Sequence, residues 1–229
     1  MKTAAIIVAA GSGSRFGSES PKQFLEINGK PVIAHTIERF EGARSVDSIV
    51  VVLASDRAAQ FDTSPFRKIV SVVAGGDSRA ASVRNGLDAL SADTEVVAVH
   101  DGARPLVTVE EIEATIAKAK ETGAACLVAP VTDTIKSVRG GEIAATLDRD
   151  KLRRALTPQV FKREVLLAAF QNADFAAATD ECYLVEKLGH PITIVEGSPR
   201  NIKITHPEDL ILAEAFLAME ERGRAALPD

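Results

Sequence analysis

Aromatic side chains are scarce in this chain, at 4% of residues, with one tyrosine and no tryptophan. A core without large rings must be filled by Ala, Val, Ile and Leu, and the 46% hydrophobic fraction supplies them. Cysteine is scarce too: Cys126 and Cys182 stand far apart, without metal-ligand spacing. Cys126 lies in an apolar run and is expected in the core. The four histidines are scattered and form no His-Glu-x-x-His pattern. No apolar run approaches the roughly 18 residues of a membrane span. No charged n-region with a small-residue cleavage site precedes the first strand. A reduced, soluble, cytoplasmic protein without membrane contact is therefore expected. Excess positive charge is missing as well: the net charge is −5 and the pI about 5.5. That excludes a general nucleic-acid binder. Basic residues that do cluster are then aimed at a small anionic ligand.

What is present is an alternation of apolar β-branched runs and helical patterns over 229 residues, enough for one large α/β domain or two small ones. No internal repeat and no linker divides the chain, so 1–229 reads as a single domain. Strands are expected at 4–8, 48–53, 69–73, 96–99, 124–129 and 192–195. Helices are expected at 31–40, 77–90, 161–172, 179–188 and 207–220, and one more opens at the capping-like Thr108-Val109-Glu110-Glu111. Strands of continuous apolar character separated by helices imply an α/β fold. Its sheet is mainly parallel and Rossmann-like, with helices on both faces. Right-handed crossovers put the loops after the strands on one edge, where ligands bind. Lys136-Ser137-Val138-Arg139 and Ile143-Ala144-Ala145-Thr146 flank Gly140-Gly141 and predict a projecting β-hairpin. Such a hairpin is marginal alone; a second subunit is the simplest surface for it, and folding back on its own domain is the alternative.

The first strand runs into Ala9-Ala10-Gly11-Ser12-Gly13-Ser14-Arg15-Phe16-Gly17, followed by Pro21-Lys22-Gln23. Bare backbone there lets N–H groups approach an anion, and Arg15 and Lys22 add full charges. Gly17 comes one residue late for a dinucleotide loop, and no Walker run exists. An ordinary Gly/Ser turn explains the glycines equally well; the two cations favour a triphosphate cradle. Gly75-Gly76-Asp77-Ser78-Arg79, with Ser82 one turn on, suits a base edge or ribose, or is a turn with an Asp cap. Asp101, after the fourth strand, is placed to hold a metal-bound phosphate or a hydroxyl. Arg104 offers a planar fork for phosphate, or pairs with Asp101. Thr134, Lys136 and Arg149 on the hairpin, and Thr157 just after it, are donors suited to a second phosphate. Thr179-Asp180-Glu181 reads first as a helix cap. Lys203 is a further cation, or a solvated lysine. With no nucleophile–base pair, this set points to phosphoryl or nucleotidyl transfer by positioning and charge neutralisation.

The ordered motifs resemble the 2-C-methyl-D-erythritol 4-phosphate cytidylyltransferase family of the non-mevalonate isoprenoid pathway. They are Ala-Ala-Gly-Ser-Gly-x-Arg at 9–15, Pro-Lys-Gln at 21–23, Gly-Gly-Asp-x-Arg at 75–79, and His-Asp-x-Ala-Arg-Pro at 100–105. Asp-Thr-Ile-Lys at 133–136, Leu-Thr-Pro-Gln at 156–159, Thr-Asp-Glu at 179–181 and Asn-Ile-Lys-Ile-Thr at 201–205 complete the set. The resemblance covers roughly residues 3–217. It implies a nucleotide-diphospho-sugar transferase type of fold with a dimerisation arm at about 134–157. The reaction implied, the third step of that pathway, joins CTP and methylerythritol phosphate and releases pyrophosphate, with Mg²⁺ or another divalent cation. A homodimer is implied, its arm reaching over the partner's site. By the same resemblance Arg15, Lys22 and Lys203 neutralise the α-phosphate in the transition state. Ala9, Ala10, Gly11, Gly13, Gly76, Asp77 and Ser82 contact the nucleotide. Asp101, Arg104, Thr134, Arg149, Thr157 and Thr179 surround the substrate phosphate. The metal is expected mainly on the CTP phosphates, with no assigned protein ligand and Asp101 as the candidate. Gly102 stands where alanine is common, a difference expected to matter little. Pro199-Arg200 stands where some members carry an acidic residue, which alters the charge expected near Lys203.

Two other functions share parts of this pattern. A ribitol 5-phosphate cytidylyltransferase shares several motifs, but its loop usually reads Ala-Gly-Gly-x-Gly-x-Arg and it usually lacks the arm lysine; Ala10 and Lys136 favour methylerythritol phosphate. A non-catalytic nucleotide-binding protein on this fold would be expected to lose Arg15, Lys22 or Lys203, and all three are present.

Overall fold

The computed structural model describes residues 1–11, 21–172 and 178–225. The chain opens with β1 (Thr3–Ala9), a short hairpin of β2 (Glu26–Ile27) and β3 (Lys30–Pro31), and α1 (Val32–Gly42). Then come β4 (Ser48–Leu53), α2 (Ser55–Ala58), β5 (Ile69–Ala74), α3 (Arg79–Asp88), β6 (Val96–Asp101) and α4 (Val109–Thr122). β7 (Ala124–Pro130) leads to the hairpin of β8 (Lys136–Arg139) and β9 (Glu142–Thr146). The chain ends with β10 (Arg153–Lys162), α5 (Arg163–Asn172), α6 (Glu181–Lys187), β11 (Thr193–Glu196) and α7 (Pro207–Ala225).

Seven strands form one sheet in the order β11-β7-β10-β6-β1-β4-β5. β1 pairs in parallel with both β4 and β6. The chain moves outward through β4 and β5, then returns to the other side of β1. That reversal opens a crevice at the carboxyl ends of β1 and β6, where an open α/β sheet binds its ligands. Residues of β1 alternate between two cores. Ala5, Ile7 and Ala9 join Ile33, Ile37 and Phe40 of α1 and Ile112 and Ile116 of α4. Ala4 and Ile6 join Val83 and Leu87 of α3, Leu166 of α5 and Leu184 of α6. Both faces of the sheet are therefore covered. Full burial of each Ile, Leu or Phe stabilises by about 1.5–3 kcal/mol. Cys126 and Cys182 are free thiols buried in the second of these cores.

The six expected parallel strands are all present. Besides the short β2–β3 hairpin, one strand was not expected: β10 runs antiparallel between β6 and β7. Pro158 lies at its middle, and a proline donates nothing to a ladder. Here it falls inside a register shift between Ala155 and Gln159, where the pairing is interrupted anyway. Phe161, expected to open a helix, belongs to this strand and is wholly buried, so α5 starts at Arg163. The capping box of Thr108 and Glu111 is formed. The α3 cap is Ser78, whose side chain accepts from the Ala81 N–H, which leaves Asp77 exposed. The hairpin turns through Gly140 and Gly141 at φ 60° and 87°, the left-handed pair that a two-residue hairpin turn needs. All five residues of β9 are exposed.

Candidate active site

Polar side chains converge on a cleft of about 460 Å³ at the carboxyl ends of β1 and β6. Ala9, Ala10 and Gly11 form one wall, and Gly76, Asp77, Ser78, Arg79 and Ser82 face them. Lys22, Gln23, Asp101, Lys203 and Thr205 are the other polar residues of the lining. Gly13 and Arg15 lie outside the described residues.

Close backbone approach builds the nucleotide side. A Cβ at Gly75 would stand 2.3 Å from the Ala10 Cβ and 2.8 Å from the Ser82 Oγ, so only glycine lets the two strand-end turns meet. Ser82 is buried; its hydroxyl accepts from the Gly76 N–H at 3.1 Å and donates to the Ser78 carbonyl at 2.9 Å. It thus shapes the turn from beneath. Gln23 donates its amide to the carbonyls of Ala9 at 2.6 Å and Gly11 at 3.1 Å, holding the start of the glycine loop. Gly102 is more constrained than expected. A Cβ there would lie 2.8 Å from that of Ala9, so an alanine requires the end of β1 to shift.

Asp101 is the electrostatic centre. Its Oδ1 accepts from Arg79 Nε at 3.1 Å, while its Oδ2 lies 2.9 Å from Lys203 Nζ and 3.5 Å from Arg104 Nε. Burial alone would raise its pKa; Arg79, Lys203 and Arg104 outweigh that and hold it well below the usual carboxylate range. Arg79 Nη1 also grips both oxygens of the wholly buried Glu181, at 2.6 and 2.8 Å. Burial disfavours the Arg79 charge, but Glu181 and Asp101 more than compensate and keep it protonated.

A relay beneath Asp101 fixes its backbone. The Asp101 N–H donates to the Thr157 hydroxyl at 3.2 Å, which pairs with His100 Nδ1 at 3.0 Å. His100 Nε2 lies 3.2 Å from the Arg104 carbonyl. Burial lowers the His100 pKa to about 3, so the ring is neutral. Nε2–H then donates to Arg104, and Nδ1 accepts from Thr157. Arg104 Nη1 donates to the Asn201 carbonyl, and the Asn201 amide donates to that of Thr157. The Ile204 N–H pairs with the Ala103 carbonyl at 2.9 Å. These bonds seat the 201–205 segment, and with it Lys203, against the end of β6. Lys22 donates to the Ile204 carbonyl from across the cleft.

The structure thus brings together Ala9, Ala10, Gly11, Lys22, Gly76, Asp77, Ser82, Asp101 and Lys203, with Arg104 and Thr157 behind them. Thr134, Arg149 and Thr179 are exposed and lie off this cleft. Arg149 donates to the Thr132 carbonyl at the root of the arm, and Lys136 donates to Thr146 across it. Asp180 caps α6, accepting from the Tyr183 N–H, with Thr179 beside it. Arg200 turns away to lie over the Phe216 ring at 5.4 Å. Sequence reasoning missed Arg79, Glu181 and Gln23. Each ends a motif; Glu181 reads as an ordinary acidic first-turn residue, whereas Arg79 puts a cation at a helix start, which the dipole disfavours and which is the signal that could have found it.

Residues 3–219 match the family model described as IspD, 2-C-methyl-D-erythritol 4-phosphate cytidylyltransferase. The chain belongs to that family. A relative of that name from Desulforamulus reducens is 47% identical over 93% of this chain and 94% of its own. One from Pelotomaculum thermopropionicum is 44% identical, covering 98% of each. Among solved structures, 4-diphosphocytidyl-2C-methyl-D-erythritol synthase from Anaerococcus prevotii superposes with a TM-score of 0.84 at 29% identity, over 95% of this chain and 98% of its own. The Thermus thermophilus 2-C-methyl-D-erythritol 4-phosphate cytidylyltransferase gives 0.79 at 33% identity, over 95% and 100%. The family is one of nucleotidyltransferases, so the cleft belongs to an enzyme of that class.

Proposed function

We propose that this enzyme transfers the cytidylyl group of CTP to 2-C-methyl-D-erythritol 4-phosphate. The observation that carries this reading is the meeting of Lys22 and Lys203 at one end of a cleft walled by bare glycine-rich backbone. CTP lies along the 9–11 and 76–82 walls. A phosphate oxygen of the second substrate attacks the α-phosphorus in line, forming a P–O bond as the α–β anhydride bond breaks. The electron pair leaves with pyrophosphate. The nucleophile is already ionised, so no general base is required. Lys22 and Lys203, with Arg15, neutralise the charge that builds on the equatorial oxygens. Arg104 orients the attacking phosphate with Thr179 and, from the arm, Thr134 and Arg149; Asp101 accepts from the substrate's hydroxyls, and Thr157 holds the Asp101 backbone from behind.

Among the described residues no group of three or more His, Cys, Asp or Glu is arranged to hold a metal. Asp101 is the one carboxylate deep in the cleft, and three cations already share it. That donor set fits a Mg²⁺ (or another divalent cation) carried in on the triphosphate, with Asp101 at most a single ligand. Bound there, the ion supplies charge neutralisation on the leaving pyrophosphate.

The arm supports a homodimer. Val138 and Ile143 are 63% and 68% exposed on a two-stranded hairpin, which is marginal without a covering surface. Two free buried thiols suit a reducing cytoplasm, and among the described residues no helix is long and apolar enough to cross a membrane. The test is pyrophosphate release with CTP, Mg²⁺ and each sugar-alcohol phosphate in turn. Methylerythritol phosphate should be strongly preferred; a preference for ribitol 5-phosphate would overturn the assignment.

A further inference from the structure

Glu181 is wholly buried and does not line the cleft, yet its carboxylate is gripped at both oxygens by a residue that does. We propose that Arg79, held by Glu181, is a positioning residue that fixes the Asp101 carboxylate and, through it, the Lys203 ammonium that receives the triphosphate. This rests on the reading of Lys203 as a phosphate-binding cation.

Geometry sets the order of action. Arg79 opens α3 and Glu181 opens α6, so two helix starts on one face of the sheet meet beside the end of β6. Nη1 is committed to Glu181, and Nε lies 3.1 Å from Asp101 Oδ1. With Oδ1 taken, the Asp101 carboxylate is turned so that Oδ2 faces Lys203 at 2.9 Å. Without Arg79, Oδ1 loses its charged partner and the carboxylate is free to rotate, carrying Lys203 with it.

Charge balance separates this role from a purely structural one. Three cations, Arg79, Arg104 and Lys203, face two carboxylates, Asp101 and Glu181. Stability alone gains little from buried ion pairs and nothing from the unpaired excess of one positive charge. An incoming polyanion uses that excess.

The experiment is a double-mutant cycle of Glu181→Gln and Lys203→Ala in the full-length protein. It is read twice: as turnover with CTP and methylerythritol phosphate, and as binding of inorganic triphosphate by calorimetry. Glu181→Gln keeps the side-chain shape and removes the charge. Alone it should lower kcat and weaken triphosphate binding by at least about tenfold. In the Lys203→Ala background it should add less than about twofold, because the two act in series. Arg79→Lys, which keeps the charge and loses the fork, should fail to restore wild-type values. Independent, multiplying losses in the two backgrounds would overturn the proposal, as would unchanged triphosphate binding in Glu181→Gln. Failure of both Glu181→Gln and Arg79→Lys to fold would assign the pair to structure and overturn it too. Coupled binding losses in a protein without cytidylyl transfer would instead sink the proposed function and leave this inference standing.

Discussion

Lys22 donates its ammonium proton to the backbone carbonyl of Ile204, the neighbour of Lys203, across 182 positions of sequence. Two cations from opposite ends of the chain thus share one wall of the cleft. Lys22→Ala should lower kcat by at least about a hundredfold, the scale of a lost charge-stabilising donor. Its stability should fall by only about 1 kcal/mol, the net value of one hydrogen bond. Steady-state kinetics and thermal unfolding of the same preparation check this; intact activity with a large drop in melting temperature would deny Lys22 its catalytic role.

His100 makes stability depend on pH. Its folded pKa, about 3, lies below the ordinary value of 6.5 because it is buried. Between those values the unfolded chain binds a proton that the folded chain does not. The stability that neutral His100 contributes is therefore complete above pH 6.5 and declines as pH falls towards 3, by about 1.4 kcal/mol per pH unit. Asp101 acts in the same direction at lower pH, since its folded pKa is depressed below 3.8 and its contribution is lost in acid. Urea unfolding from pH 8 to pH 5 should show the slope below 6.5, and His100→Gln should flatten it. An equal slope in the variant would assign the effect to other groups.

Gly75→Ala tests the close approach of the two nucleotide-side turns. The added methyl must displace Ala10 or Ser82, at a cost of about 1–3 kcal/mol in stability. The KM for CTP should rise more than that for the second substrate. Equal rises, or none, would mean that this contact does not shape the nucleotide wall.

Chelation separates a triphosphate-borne metal from a resident one. EDTA should abolish turnover yet leave the melting temperature of the nucleotide-free protein unchanged. A fall in melting temperature on chelation would reveal a protein-held ion.

The arm gives a prediction about assembly. Light scattering should report a dimer, and Val138→Asp with Ile143→Asp should yield a folded monomer with impaired turnover. A monodisperse wild-type monomer would count against the arm as a dimer contact.

How much of this was legible in the chain differs from element to element. β1, β4, β6 and β7 are buried on both faces, so they are written as continuous apolar runs and need no tertiary knowledge to read. β10 carries Arg153 and Arg154 at its exposed start and Pro158 at its middle, and local rules argue against a strand there. Only its place between β6 and β7 makes it one. Among site residues, Lys22, Asp101 and Lys203 stood out as charges after strands. Glu181 did not, because an acid at a helix start has a sufficient local explanation; Arg79 is a cation at a helix start, which the dipole disfavours, and that was the one local sign of its role. Their shared role is visible only once α3 and α6 meet.

β10 also constrains how this protein can change. It leaves the arm at Arg153, passes Thr157 beneath Asp101, and presents Gln159, which donates to Asp180 and accepts from the Glu181 and Cys182 N–H groups. Side chains on a strand alternate between faces, so deleting one residue between Arg153 and Thr157 would turn both anchors to the wrong side of the sheet. Drift in arm length is therefore tolerable at the Gly140–Gly141 tip, where β9 is exposed throughout, and forbidden at the root. Evolution can lengthen or trim this limb only from its far end.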